Sequence, residues 1–154
     1  YCFGVGLEFS LACDFRIVTK CAQLSLPEMK IGMIPGSGGS VRLARMIGLS
    51  RVKDMIMRGK RISGEEAFNL GLASELVDKD KIEITIEKLV DELCSISPLA
   101  QRAIKTVLNA SQDAPLHVAI ELEGETYGRL RSSNDFNEGV KSFVEKRKPV
   151  YKGN

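Results

Sequence analysis

An α/β core followed by an all-helical C-terminal segment is the fold class this sequence predicts, and three observations carry that prediction. Tyr1 to Phe3 reads as the end of a buried strand, Gly4-Val5-Gly6 as a turn, the next residues as a helix, and Phe15 to Val18 as a second strand with period-two alternation. Strand, turn, helix, strand is the grammar of α/β architecture with crossovers. Glycine-rich turns recur at helix starts, Gly4-Val5-Gly6 first and Gly36-Ser37-Gly38-Gly39 later. Finally, no strand signal follows Asp80, and apolar residues there repeat at helical spacing. Residues 1–78 are expected to form the core and 79–154 a helical subdomain.

Composition narrows the classes. With 154 residues and 44% hydrophobic content, the chain can build one sizeable core. Its 22 basic residues against 20 acidic ones carry no nucleic-acid footprint. No apolar run reaches the roughly eighteen residues of a membrane span, and no signal segment opens the chain. The expectation is a soluble protein without a nucleic-acid or membrane partner. Cys2, Cys13, Cys21 and Cys94 form no C-x-x-C pair, and His117 is the single histidine. Reduced, buried thiols are therefore expected rather than a zinc site. The chain opens on Tyr1 against a turn, with no Met, as though cut from a longer one.

In order along the chain, the first helix has Phe9, Leu11, Ala12 and Cys13 as its apolar side and ends at Asp14. Its first backbone N–H groups lack intrahelical partners and suit an oxyanion, although glycines at such a turn can equally be steric. Glu8 lies one turn into this helix, either at the edge of a polar cavity or as a complement to the helix dipole. A short alternation over 22–26 is broken by Pro27, which places Glu28 on a loop. Met29, Ile31 and Met33 alternate with Lys30 and Gly32, and Ile34-Pro35-Gly36-Ser37-Gly38-Gly39 is too glycine-rich for regular structure. Ser40 to Ile47 then reads as a helix with Val41, Leu43, Ala44 and Ile47 inward and Arg42 and Arg45 outward. No Gly-Lys-Ser/Thr ending supports a nucleotide loop.

Ser50 to Arg58 is a helix with Ser50 as the expected N-cap and Val52, Met55 and Ile56 on one face. Ser63 and Glu66 have the spacing of a capping box, and Leu72 to Val77 returns to strand. Beyond Asp80 come Ile82, Ile86, Leu89, Val90 and Leu93 on one helix, then Pro98 to Asn109 with Leu99, Ala103, Ile104 and Val107 inward. Pro115 to Leu130 is a third helix, carrying His117 as a structural residue. A last short helix, opened by Asn134 to Gly139, has Val140, Phe143 and Val144 as its apolar side and ends in the basic tip Lys146-Arg147-Lys148. By itself that tip is a solvated charge run.

Four ordered motifs carry a resemblance over the whole chain: G-x-G-x-E-x-x-L-A-C-D, P-E-x-x-x-G-x-I-P-G-x-G-G, R-I-S-G-E-E-A and E-G-x-x-x-F-V-E-K-R-K-P. Together they resemble the enoyl-CoA hydratase/isomerase family, the crotonase fold, in its C-terminal portion. The resemblance implies a β/α spiral core whose N-terminal part precedes this chain, followed by a helical subdomain that builds trimers, often paired into hexamers. It implies that Glu8 and Glu28 are the catalytic pair of a hydratase acting on trans-2-enoyl-CoA thioesters. It also implies that the Val5 amide stabilises the thioester oxygen, that the Gly36 amide helps hold water, that Phe143 lines the acyl pocket and that Lys146 meets the coenzyme A phosphates. A carboxyl pair in one small site offers an acid and a base at once, which addition of water to a double bond requires. No cofactor is implied, coenzyme A being part of the substrate. A cytoplasmic location is expected, with the mitochondrial matrix as the alternative. An enoyl-CoA isomerase or another acyl-CoA reaction on the same fold, and a truncated assembly partner without activity, are the alternative functions.

Overall fold

Two strands can pair in parallel only when the chain between them is long enough to cross back and run in the same direction again. In the computed structural model, which describes residues 1–154, the chain divides into two compact units, Tyr1–Glu87 and Lys88–Asn154. The division falls inside a helix rather than at residue 78, where the composition changes.

In the first unit, β1 (Cys2–Phe3) pairs in parallel with β3 (Gln23–Ser25), Cys2 opposite Leu24, and β2 (Ile17–Thr19) pairs in parallel with β5 (Glu75–Val77). A fifth strand, β4 (Ile62–Ser63), lies antiparallel to β3 and had no alternation long enough to signal it. Between the strands run α1 (Val5–Ala12), α2 (Gly39–Ile47), α3 (Leu49–Met57) and α4 (Gly64–Asn69). The core joins Leu7 and Leu11 of α1 to Leu24, Leu26, Leu43, Ile47, Val52, Met55, Ile56, Ile62, Ala67 and Leu72. Each fully buried leucine contributes roughly 2 kcal/mol by its removal from water.

Several expectations about which side chains face inward need correction. On α1 only Leu7, Glu8 and Leu11 are buried, while Phe9, Ala12 and Cys13 face out. Val41 is exposed on α2, whose buried face is Gly39, Leu43 and Ile47. Gly48 rather than Ser50 caps α3, because α2 and α3 abut at a glycine whose positive φ of 83° turns the chain. Ser63 and Glu66 do form the capping box, with N–H···O distances of 2.8 and 3.0 Å. The thiols are free, but Cys13, Cys21 and Cys94 are exposed rather than buried.

The second unit holds the end of α5 (Ile82–Cys94), then α6 (Pro98–Ser111), α7 (Leu116–Arg131) and α8 (Asn134–Val144). No helix is long and apolar enough to cross a membrane. Val107 and Ala119 are buried, whereas Ile86, Val90, Ile104 and Ile120, though at core spacing, remain exposed on this single chain. His117 is exposed on α7.

Two carboxylates tie the C-terminal tail down. Asp135, buried, accepts hydrogen bonds from the Ser97 hydroxyl at 2.6 Å and from the Lys152 and Gly153 N–H groups at 2.9 and 3.0 Å. The Ser97 hydroxyl first, and then those amides, hold its carboxyl below the ordinary aspartate value. Glu138 accepts two bonds from the Arg147 guanidinium, at 2.6 and 2.8 Å, and one from the Val150 N–H at 2.8 Å. The same guanidinium donates to Glu145 at 2.6 Å.

Arg147, and then the Val150 amide, lower the Glu138 carboxyl from 4.5 to about 2. A depressed folded-state value means the stabilisation is complete above the unfolded value and is lost as pH falls toward the folded one. The melting-temperature gap between the protein and its E138Q variant is expected to hold steady above about pH 5 and to close between about pH 4.5 and 2. A gap that persists unchanged at pH 2 would show that the carboxylate charge does not hold the tail.

Candidate active site

Gly4 makes the first turn possible. Its φ of 54° and ψ of −127° suit a residue without a Cβ, and its N–H donates to the Ser25 carbonyl at 3.0 Å, joining the turn to β3. A Cβ at Gly4 would also stand 2.8 Å from Glu28 Oε1. Glycine thus lets the second carboxylate come against the start of α1. Glu28 sits there because Pro27 ends the extended segment after β3 and a 3-10 turn, Glu28–Ile31, follows immediately.

Glu8 extends from within α1 toward the start of α2. It is 2% exposed, and its Oε1 accepts hydrogen bonds from the Ser37 N–H at 2.8 Å and the Gly39 N–H at 2.9 Å. Those donors belong to the N-terminus of α2, where backbone N–H groups lack intrahelical acceptors and favour an anion. The contact is close: a Cβ at Gly39 would lie 2.5 Å from Glu8 Cγ. Glu28 is treated differently. Half-buried as a residue, it has an Oε2 with no hydrogen-bond partner. A buried acceptor left unpaired is costly, and such atoms mark places where substrate or water is met.

Glu28 thus lies against Gly4, the residue before α1, while Glu8, one turn into that helix, is held at the N-terminus of α2. Val5 opens α1 with an exposed side chain, and its N–H is among the first-turn donors without an intrahelical acceptor. Gly36 is exposed at the start of the loop. The amides that grip Glu8 belong to Ser37 and Gly39, which sequence reasoning left unassigned. A glycine-rich turn at a helix start was the available signal, but which N–H faces which carboxylate depends on the approach of α1 and α2. The exposed apolar side chains Met29, Ile31, Met33 and Ile34 come from the segment between Glu28 and this loop. No group of three His, Cys, Asp or Glu residues is placed to hold a metal ion.

Phe143 and Lys146 belong to the second unit. Phe143 is 85% exposed, at an open cavity of about 500 Å³ lined also by Tyr127, Leu130, Phe136, Val140 and Tyr151. Lys146 follows α8 with a positive φ of 54°, the one non-glycine residue of the chain in that region. The N–H of Arg147 donates to the Ser142 carbonyl at 3.0 Å and that of Lys146 to the Phe143 carbonyl at 3.3 Å, a Schellman ending with lysine where glycine is usual. The basic tip needs one correction: Arg147 is consumed by Glu138 and Glu145, so Lys146 and Lys148 carry its outward charge.

The parallel pairs β1–β3 and β2–β5, the antiparallel β3–β4 and the helices that follow form a mixed α/β, crotonase-like fold, as the superposition on solved enoyl-CoA hydratases shows. The family model for enoyl-CoA hydratase/isomerase matches residues 1–154, and the chain belongs to that family. It is 38% identical to methylglutaconyl-CoA hydratase 1, mitochondrial, of Pyricularia oryzae, over 97% of this chain and 48% of the relative. It is 35% identical to the carnitinyl-CoA dehydratase of Salmonella typhi, over 99% of this chain and 60% of the relative. Among solved structures, an enoyl-CoA hydratase from Bacillus anthracis superposes with a TM-score of 0.95 at 38% identity, covering 99% of this chain and 59% of that one. The chain thus spans about half to three-fifths of the length of these relatives.

Gly39→Ala tests the contact at Glu8. The added methyl is expected to push the Glu8 side chain off Oε1's two donors and to cost about 1–3 kcal/mol in denaturant unfolding, as overpacking does. An unchanged unfolding midpoint would mean that Glu8 is not pressed against this loop.

Proposed function

We propose that the protein, as part of a longer polypeptide, adds water across the double bond of trans-2-enoyl-CoA thioesters. The observation that carries this reading is the unequal treatment of two carboxylates, one within α1 and one against Gly4 before it: Glu8 Oε1 is held by two backbone N–H groups, and Glu28 Oε2 has no partner. With Oε1 fixed as an acceptor, Glu8 offers its other oxygen to a water. As that water attacks the β-carbon, Glu8 takes its proton, and the electrons of the double bond shift toward the thioester oxygen. The Val5 N–H, at the positive end of α1, supports the charge that develops there. Glu28 then delivers a proton from Oε2 to the α-carbon. Water's oxygen ends on the β-carbon, one proton on the α-carbon and one on Glu8, and proton exchange with solvent resets the pair.

The same resemblance extends to the rest of the site. The Gly36 amide helps hold the water, Phe143 lines the acyl pocket and Lys146 meets the coenzyme A phosphates as a point charge. No further cofactor is required by this chemistry. Exposed apolar side chains on α5 to α7 support assembly into trimers or hexamers. A second reading, double-bond migration by an enoyl-CoA isomerase, is favoured by one feature: Glu8 Oε1 is already engaged by the protein, which leaves Glu28, with its buried Oε2 unmet, as the more open carboxylate of the pair.

Glutamine variants separate the two, because the amide oxygen of a glutamine at position 8 can still accept from Ser37 and Gly39. Hydration of crotonyl-CoA is expected to fall by about 10²-fold or more in both E8Q and E28Q, with folding unaltered, as loss of an acid or base predicts. Full hydration by either variant contradicts the pair mechanism. Double-bond migration that survives in E8Q but not in E28Q would establish the isomerase instead.

Lys146→Gly adds an independent check. Glycine relieves the left-handed backbone and is expected to raise stability by about 1 kcal/mol, while acyl-CoA binding weakens several-fold. A variant both more stable and undiminished in binding would remove Lys146 from the phosphate site.

A further inference from the structure

We propose that Arg42 is a positioning residue for Glu8, acting through the loop that holds it; this rests on the reading of Glu8 as the base of the hydration reaction. Arg42 lies in the first turn of α2, four residues beyond Gly38. Its backbone N–H donates to the Gly38 carbonyl at 3.0 Å, and its guanidinium Nη1 donates to the Ser37 carbonyl at 2.9 Å. The peptide joining Ser37 to Gly38 is therefore held by its oxygen from the solvent side. From the other side, the N–H groups of Ser37 and Gly39 converge on Glu8 Oε1. One short segment is gripped on opposite faces by a cation and a carboxylate.

The grip matters because the segment has little stiffness of its own. Residues 36, 38 and 39 are glycines, and Gly38 sits at a φ of 87°. Dihedral changes at Gly36 and Gly38 carry little steric cost, and they would turn the Gly36–Ser37 and Gly38–Gly39 peptides, which carry the two N–H groups that meet at Oε1. Arg42 supplies the missing restraint in two ways. Its hydrogen bond fixes the carbonyl direction, and its guanidinium occupies the space where a Cβ at Gly38 would stand. Side-chain bulk that the glycine lacks is thus provided from the next turn.

The placement is also unfavourable for the helix alone. A cation in a first turn faces the positive end of the helix dipole, and α2 has no acidic residue there to offset it. Arg42 would better serve α2 near its other end. Its position makes sense as the outer half of the support for Glu8.

Arg42→Met keeps length and helix preference while removing the donor, and Arg42→Lys keeps a donor. Two readouts are paired: amide hydrogen exchange at Ser37 and Gly39, and kcat and KM for crotonyl-CoA hydration. In R42M the two amides are expected to exchange about tenfold faster or more, since a charge-assisted bond has been loosened, while those of Leu43 and Ile47 stay unaltered. The kcat is expected to fall about tenfold with KM within about twofold, the signature of a misplaced catalytic group, and R42K recovers part of both losses. Unaltered exchange in R42M overturns the proposal whatever the activity. A raised KM with full kcat also overturns it, assigning Arg42 to the substrate rather than to the loop. If the longer polypeptide with Arg42 intact does not hydrate crotonyl-CoA yet the exchange accelerates as expected in R42M, the hydratase reading fails while the mechanical link from Arg42 to Glu8 is supported.

Discussion

Two backbone N–H groups at the start of α2, meeting one oxygen of Glu8, are the constraint on which the first unit depends. A carboxylate in an otherwise apolar helix face is costly to bury unless its oxygens are paired. Here the pairing groups are ones that a helix N-terminus leaves unsatisfied in any case, so the two deficits cancel. The cancellation requires α1 and α2 to lie close together, which the shared burial of Leu7, Leu11, Leu43 and Ile47 accomplishes. It also requires the absence of a side chain at residue 39, where Glu8 fills the space. Core packing, glycine placement and the fixed direction of a carboxylate are one structural solution.

In the second unit the equivalent constraint is electrostatic. Asp135 gathers a serine hydroxyl and two tail amides, and Glu138 takes both arms of Arg147 with one more amide. Both convert a short extended tail into a fixed strap. The turn after α8 is held by the same arrangement, so that Lys146 keeps a backbone conformation that its own side chain disfavours. Strain of that kind persists only where surrounding contacts over-determine it, and it is common where a side chain has a task.

Much of this organisation was legible in the sequence, for identifiable reasons. Element order, the helical C-terminal segment and the capping box at Ser63 follow from local periodicity and cap chemistry, which neighbours in sequence decide. Glu8 and Glu28 drew attention as carboxylates beside glycine turns. What stayed hidden depended on approach between distant segments. Val41 and Phe9 fit an apolar stripe but face outward, because the buried face of a short helix is set by what lies across from it. Strand β4 is two residues long and exists through pairing with β3. The gripping role of Ser37 and Gly39 and the neutralisation of Arg147 are likewise properties of tertiary contact, invisible to spacing along the chain.

The most direct test of the central claim is a crystal structure of the full-length polypeptide with a saturated acyl-CoA bound. The account predicts a thioester oxygen within hydrogen-bond distance of the Val5 N–H. It also predicts the α- and β-carbons facing Glu28 Oε2 and the open oxygen of Glu8, with Oε1 of Glu8 still on Ser37 and Gly39. An acyl chain lying away from both carboxylates, or Glu8 released from the loop, would contradict it.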